Sequence, residues 1–314
     1  MPHWLLKACT QKVISWLPRS HSLNYAFQKH VTRTAQLRPE WFDHKVEQAA
    51  RHLRNWSRAG HHDRPHRVLE LGTGWHPVVP LALGLAGVDE VVSVDRSSLV
   101  RAANVGSVLR MFIEADDDGR LRRRLTMLRP DRLEIVRSLA ADPEVAPARL
   151  VDAGVTFLVG DARATGLPAT SIDLFTSNNT FEHIPPDVLL DLLLEMRRLA
   201  APDAILSHFV DLSDHYSHFD RSLSAYNFLR YSEAQWRLLN NRVVFQNRLR
   251  VSGYRRLFSA AGLELVDEED HTPHPVPDIR ELPLSAAIRS QPAEEVLVTH
   301  AWFTATVGAD PLPR

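Results

Sequence analysis

The chain of 314 residues is 44% hydrophobic and carries 37 lysines and arginines against 38 aspartates and glutamates, a net charge of -1. That composition suits a soluble globular protein with a sizeable core, and it supplies no global basic field to hold nucleic acid. Cys9 is the only cysteine, which excludes disulfides within the chain and a thiolate metal cluster and fits a reducing, cytoplasmic setting; no apolar stretch approaches the roughly twenty residues that span a bilayer.

Residues 1–65 read as a helical N-terminal extension. Its start mixes basic and aromatic residues, among them Trp4, Lys7, Trp16 and Arg19. Such a helix usually buries its apolar face in protein, with peripheral membrane contact of residues 1–20 as the alternative. The polar run from Gly60 to His66 delivers the chain to a first strand, Val68 to Leu71, whose unbroken apolar character is that of a buried parallel strand. Gly72-Thr73-Gly74 then lets the backbone turn sharply. A second strand ends at Asp95, and a helix from Leu99 to Phe112 is broken by Asp116 to Gly119. Residues 120–150 keep helical spacing (Leu121, Leu125, Leu133, Val136, Leu139) where a minimal crossover would already have returned to the sheet. The segment at about 114–150 is therefore read as a helical insertion acting as a lid. Strands follow at Val155 to Val159 and Ser171 to Ser177, then a helix from Pro186 to Ala200 and a strand from Ala204 to Val210. A second insertion, at about 211–250, is rich in His, Tyr, Phe, Trp and Asn. Its Tyr226, Phe228, Tyr231 and Trp236, with Asn240, Asn241, Gln246 and Asn247, are candidates either for acceptor-binding faces or for the insertion's own small core. A helix from Tyr254 to Ala261, a strand from Leu263 to Val266 and a late, antiparallel strand from Glu295 to Val307 complete the chain. The alternation predicts an α/β fold: a doubly wound, mostly parallel seven-stranded sheet with a helical extension and two insertions.

An acid at the tip of the second strand, about twenty residues beyond the glycine turn, is placed to accept hydrogen bonds from the vicinal hydroxyls of a ribose. The third glycine of the dinucleotide fingerprint is replaced by Pro77, behind Trp75 and His76, which argues against a nicotinamide or flavin dinucleotide. Glu70-Leu71-Gly72-Thr73-Gly74 instead resembles the first motif of the class I S-adenosylmethionine-dependent methyltransferases. Gly160-Asp161-Ala162 is similar to that family's adenine-binding turn, and Leu167-Pro168 before Ser171-Ile172-Asp173-Leu174 to the stretch entering its fourth strand. Asn178-Asn179-Thr180-Phe181-Glu182-His183 resembles a loop ending in an acid-histidine pair beside cofactor and substrate. The resemblance covers roughly residues 66–210 and 250–307. It implies a Rossmann-like methyltransferase domain over 66–314, S-adenosylmethionine as cofactor, and cofactor-binding residues Glu70, Gly72, Thr73, Gly74, Asp95, Arg96, Asp161, Ala162 and Asn178. The chain departs from the family at Trp75-His76-Pro77. It also lacks an Asn-Pro-Pro-aromatic signature after the fourth strand, which removes support for methylation of nucleic-acid bases.

Methyl transfer from a sulfonium is an in-line displacement, so positioning the acceptor is the main task; a hydroxyl acceptor must also lose its proton, which histidine accepts best at neutral pH. Candidate groups gather after the fifth strand, where the ligand crevice of an open α/β sheet lies. There His215 and His218, with Asp211 and Asp214, form a base with an orienting carboxylate, ligands for a divalent metal, or a polar brace for the insertion. No distant metal ligand is identifiable, so no metal is expected, and the catalytic candidates are His215, His218, His183 and Asp211. The expected function is transfer of a methyl group to a hydroxyl of a small-molecule or glycan acceptor. N-methylation of an amine, or cofactor binding without turnover, are the alternatives.

Overall fold

The computed structural model describes residues 3–17, 20, 23 and 36–308. The described residues at the start include helices α1 (His3–Ile14) and α2 (Pro39–Arg58); residues 1–2, 18–19, 21–22 and 24–35 of the predicted helical extension lie outside the described residues. Seven strands follow: β1 (Arg67–Leu71), β2 (Glu90–Asp95), β3 (Val155–Val159), β4 (Ile172–Asn178), β5 (Ala200–Asp211), β6 (Leu263–His271) and β7 (His300–Val307). They form one sheet in the order β3-β2-β1-β4-β5-β7-β6. The first five run parallel, and β7 lies antiparallel between β5 and β6. The strand order reverses between β1 and β4, and in such sheets the crevice beyond the carboxyl ends at that point receives the ligand.

Both faces of the sheet are covered. On one, α2 buries Phe42, Val46, Ala49, Leu53 and Trp56 in a cluster shared with α3 (Val78–Leu85) and α4 (Ala102–Asp117). Every residue of α3 is buried, as expected for a helix apolar on all sides. The same cluster takes in α5 (Arg120–Arg124) and α6 (Pro130–Leu139) through Leu121, Leu125, Leu133, Val136 and Leu139. The leucine spacing thus reflects burial in the core; the large cavity described below has no lining residue from 114–150, and the smaller recess beside Asp95 has one, Pro147. On the other face, α7 (Pro186–Leu199) and α9 (Val251–Ala260) pack Leu189, Leu193, Met196, Tyr254 and Phe258 against Phe175, Leu206 and Phe303.

The second insertion and α1 build a third core. Trp4 and Ala8 of α1 meet Tyr226, Phe228, Leu229 and Trp236, the last on α8 (Glu233–Leu239), and Lys12 Nζ donates to the Asn240 carbonyl at 2.5 Å. Of the two readings the sequence left open for the insertion's aromatics, its own core is the one found. That core also buries part of the apolar face of α1 in protein, and no described helix is long and apolar enough to cross a membrane. Several sequence boundaries shift, two of them for a plain physical reason. Val296, Leu297 and Val298 are apolar because a helical turn, Ala293–Val296, and the residues after it pack inward, so the last strand starts at His300 and not Glu295. β6 runs on through the acidic residues Asp267 to Asp270 because it is an edge strand, paired only with β7, where charge is tolerated.

The first insertion is locked to the core by Arg132. Its buried guanidinium donates to the carbonyls of Gly84 (2.8 Å) and Asp89 (2.6 Å), and to that of Val88. Replacing it by alanine strands these acceptors in an apolar setting, so Arg132→Ala should lower stability by about 3 kcal/mol, read as a shift in the urea midpoint. Arg132→Lys should recover less than half, because one ammonium lacks the planar fork that spans three carbonyls.

Candidate active site

The turn after β1 is shaped by its glycines. Gly72 has φ +84°, its amide donates to the Val94 carbonyl at 2.8 Å, and a Cβ there would come within 2.3 Å of Thr180 Oγ1. Only glycine fits so close an approach. Gly74 has φ +66°, and a Cβ on it would meet nothing within 4 Å, so the outer side of the turn is open to a ligand. The Gly74 amide donates to Asp95 Oδ2 at 3.1 Å and the Ser97 amide to Asp95 Oδ1 at 2.9 Å. Asp95 is thereby held at the tip of β2, beside a recess of about 70 Å³ that Thr73, Ser93, Leu99, Phe157 and Leu158 help to line. Beneath the turn, Ser93 donates to Glu70 and contacts Thr73 Oγ1.

The remaining cofactor candidates are placed differently. Asp161 lies at the surface and accepts from Arg163, whose Nη2 is 2.7 Å away; that guanidinium holds the carboxyl down at about 2. Arg96 is exposed nearby, and Ala162 packs at the edge of the second core. Asn178 turns toward α2, its Oδ1 3.2 Å from His52 Nε2. His52 Nδ1 in turn lies 2.8 Å from Ser207 Oγ, which accepts from Asn55 at 3.0 Å. This buried polar chain pins α2 across β4 and β5.

Pinned there, α2 roofs a cavity of about 530 Å³ with Trp41, His44 and Lys45, while Phe209, His271, His300 and Trp302 form its floor. Phe209 stacks on His300 with the rings within 6° of parallel. At one end stands Asp211, only 3% exposed. Its Oδ2 is 3.4 Å from His215 Nε2 and 3.6 Å from His218 Nε2, and its Oδ1 is 3.6 Å from His300 Nε2. Burial works to raise the Asp211 carboxyl, but His215, His300 and the Ser213 hydroxyl overcome it and hold the group below the usual carboxylate range. Ser213 Oγ donates to Asp211 Oδ1 at 2.6 Å and lies 3.1 Å from His218 Nε2. With the hydroxyl proton committed to Asp211, Ser213 accepts from a proton on His218 Nε2, which leaves the lone pair of that ring on Nδ1.

Behind His215 the structure brings in the pair that follows β4. Glu182 is buried, and neither carboxylate oxygen has a hydrogen-bond partner among the described residues; Oε1 lies 3.9 Å from His215 Nε2. Burial pushes its carboxyl up to about 8. His183 Nδ1 donates to the Phe245 carbonyl at 2.6 Å, and burial lowers that imidazole to about 4. Lys45 lies between the two ends of the crevice: burial lowers its ammonium, while Glu70 and Glu182 both act to keep it charged.

Three of the four catalytic candidates, Asp211, His215 and His218, line one cavity, and His183 stands behind them with its ring centroid 4.7 Å from that of His215. The sequence reading missed the cavity's roof and half its floor. The signal for the roof was present as Trp41, His44, Lys45, Gln48 and His52, a polar and aromatic stripe at helical spacing beside the apolar stripe of Phe42, Val46, Ala49 and Leu53. In β7, His300, Trp302 and Thr304 alternate with Ala301 and Phe303 and so share one face.

A family model described as a methyltransferase domain matches residues 42–268, starting inside α2. No curated protein matches the chain. Among solved structures, the chain is similar to a SAM-dependent methyltransferase from Methanosarcina mazei, at 11% identity over 79% of this chain and 95% of that one, with a TM-score of 0.44. It is also similar to a SAM-dependent methyltransferase from Leishmania major, at 12% identity over 96% and 83%, TM-score 0.44. A geranyl diphosphate methyltransferase in complex with SAM matches at 14% identity over 82% and 85%, TM-score 0.43.

Glu70 makes the ligand-free protein sensitive to pH. Burial is the largest cause that raises its carboxyl to about 7, against the opposing pull of Ser93 and Lys45. The folded state therefore prefers the protonated acid, and the associated stability, complete below the ordinary value of 4.5, is lost as pH rises through about 7. At about 1.4 kcal/mol per unit the whole effect is about 3 kcal/mol. Scanning calorimetry of ligand-free protein should show Glu70→Gln gaining on the wild type between pH 5 and 8; a constant difference between the two would show that Glu70 does not titrate in that window.

Proposed function

The chain belongs to the methyltransferase-domain family and takes S-adenosylmethionine as its cofactor, and on that premise we propose that it methylates a hydroxyl of a small-molecule or glycan acceptor held in the cavity beneath α2. The single observation that carries this reading is the histidine-lined cavity anchored on Asp211, opening beside Asn179 of the turn that follows β4. Its volume is on the scale of small-ligand sites, and Trp41, Phe209 and Trp302 offer flat apolar faces for a ring or a sugar.

The residues at the other end fit the cofactor. Asp95, fixed by two backbone amides, is placed to take the ribose diol, and the open side of Gly74 admits a ligand against the turn. Glu70, buried with its carboxyl raised, gains from a positive partner such as the ammonium of the methionine moiety. When bound, the cofactor supplies an electrophilic methyl on a sulfonium. The cavity walls then hold the acceptor oxygen in line with that methyl and keep water away. His218 accepts the hydroxyl proton: Ser213 and Asp211 fix which nitrogen bears its hydrogen, the arrangement of a base oriented by a third group. His215 keeps Asp211 in place from the other side.

Calorimetric titration with S-adenosylmethionine should show Asp95→Ala binding at least about tenfold more weakly, as expected for loss of a charge-assisted hydrogen-bond set; unchanged affinity would remove Asp95 from the ribose site. For the chemical step, release of S-adenosylhomocysteine should be followed over a panel of hydroxylated aromatic compounds and glycans. With an acceptor in hand, His218→Gln should lower kcat by about 10²- to 10⁴-fold while cofactor affinity stays within twofold. Full turnover in that variant would refute the assignment of the base.

A further inference from the structure

Glu182 poses a problem that the methyl-transfer reading does not solve. Its carboxyl group is 2% exposed at the side chain, and neither oxygen has a hydrogen-bond partner among the described residues. A buried acid of this kind ionises when it is paired, hydrogen-bonded or bound to a cation. The nearest charged partner is His215, whose Nε2 likewise has no hydrogen-bond partner and faces both Glu182 Oε1, at 3.9 Å, and Asp211 Oδ2, at 3.4 Å. We propose that Glu182, His183 and His215 bind a first-row divalent metal ion at the inner end of the cavity, with the Asp211 carboxylate beside it.

Three observations carry the assignment. One donor atom from each of Glu182, His183 and His215 lies within 4.8 Å of the others, close to the separations of about 3 to 4 Å that metal bonds of about 2.1 Å produce. His183 is prepared as a ligand: its Nδ1 is committed to the Phe245 carbonyl at 2.6 Å, which leaves the lone pair on Nε2, the outer arrangement that orients metal-bound imidazoles. The supporting shell comes from one short stretch, 245–247. Beyond the Phe245 carbonyl, Gln246 Oε1 accepts from the His215 amide at 3.3 Å. Asn247 donates from its own amide to the Glu182 carbonyl at 2.7 Å, and from its side chain to the carbonyls of Phe181 (2.8 Å) and Ile184 (2.9 Å). A rigid mount on both ligand-bearing segments is what a site of fixed geometry requires.

Two imidazoles with one or two carboxylates form a borderline nitrogen and oxygen set, suited to manganese, iron, cobalt or zinc and less to magnesium or calcium. The ion's binding stands independently of the acceptor. Its use rests on the proposed O-methylation: His215 and Asp211 both line the cavity, so an ion between them reaches an acceptor oxygen there and makes its hydroxyl easier to deprotonate.

The test uses the full chain, stripped with chelator and titrated with Co²⁺, read by its visible ligand-field absorption and by calorimetry. One equivalent should bind, with bands of a low-coordinate nitrogen and oxygen site. Glu182→Gln and His183→Gln should each weaken binding by about a hundredfold, while His271→Gln, in the same cavity but outside the cluster, should leave it within threefold. Circular dichroism and thermal midpoints of the metal-free variants establish that they fold, and Glu182→Gln, which keeps shape and removes the ionisable group, should melt no lower than the metal-free wild type. Absence of binding, or binding indifferent to Glu182→Gln and His183→Gln, overturns the proposal. Titration with S-adenosylmethionine in chelator keeps the two readings apart: cofactor binding without metal binding sinks the metal site alone, and metal binding without cofactor binding sinks the methyl-transfer reading alone.

Discussion

A carboxylate buried at the end of a strand must be met by positive or hydrogen-bonding groups, and much of the architecture around Asp211 follows from that requirement. β5 is covered on both faces, so its last residue enters the crevice without bulk water. Compensation arrives from two directions. Antiparallel pairing of β5 with β7 sets Asp211 opposite His300 in register, so the inserted strand that completes the sheet also delivers an imidazole. The chain after Asp211 turns back at once: the Asp214 amide donates to the Ala225 carbonyl at 2.7 Å, and the Asp214 carboxylate accepts from Asn227 at 2.8 Å. That closed loop presents His215 and His218 to the same carboxylate. The third core beneath it, with Tyr226, Phe228 and Trp236, makes the loop rigid enough to hold them.

The N-terminal helix α2 belongs to the site as much as to the core. Its apolar stripe secures it to the sheet, and the chain from Asn55 through Ser207 and His52 to Asn178 fixes its rotation. Burial lowers His52 to about 3, so the relay is neutral and its hydrogen bonds are directional contacts that specify one setting of the helix. A slip of one residue would carry Lys45 and Trp41 off the cavity. Asn178 thus commits its side-chain oxygen to positioning α2.

Legibility in the sequence followed the range of the interactions. The parallel strands were readable because strands covered on both faces are short apolar runs, as in Val68 to Leu71 and Val91 to Val94. The turn at Gly72 was readable because backbone sterics act locally. Asp211, His215 and His218 stood out because they are neighbours in the chain. What the sequence concealed was the meeting of segments: Glu182 and His183 reach His215 across more than thirty residues, and Trp41, His44 and Lys45 reach the cavity from a helix read only as an extension. Apolar patterning also misled where one pattern serves two purposes. The leucines of 121–139 announce burial as readily as a cover, and the aromatics of 226–236 announce a core as readily as a binding face. Only their neighbours decide.

The two ends of the crevice share one electrostatic condition. Asp95 and Glu70 stand at the glycine turn, Glu182 and Asp211 beyond it, and Lys45 is the ammonium set among them. Burial raises Glu70 and Glu182 to about 7 and about 8, so each acid gains as an anion when a positive charge is brought beside it. S-adenosylmethionine brings two such charges, its ammonium and its sulfonium, and methyl transfer removes the second. On the proposed placement of the cofactor, the acids beside it lose an attraction once the sulfur is a neutral thioether, and the difference works toward release of the spent cofactor. Because the acids lie in low dielectric and not at the surface, this preference is little screened by salt.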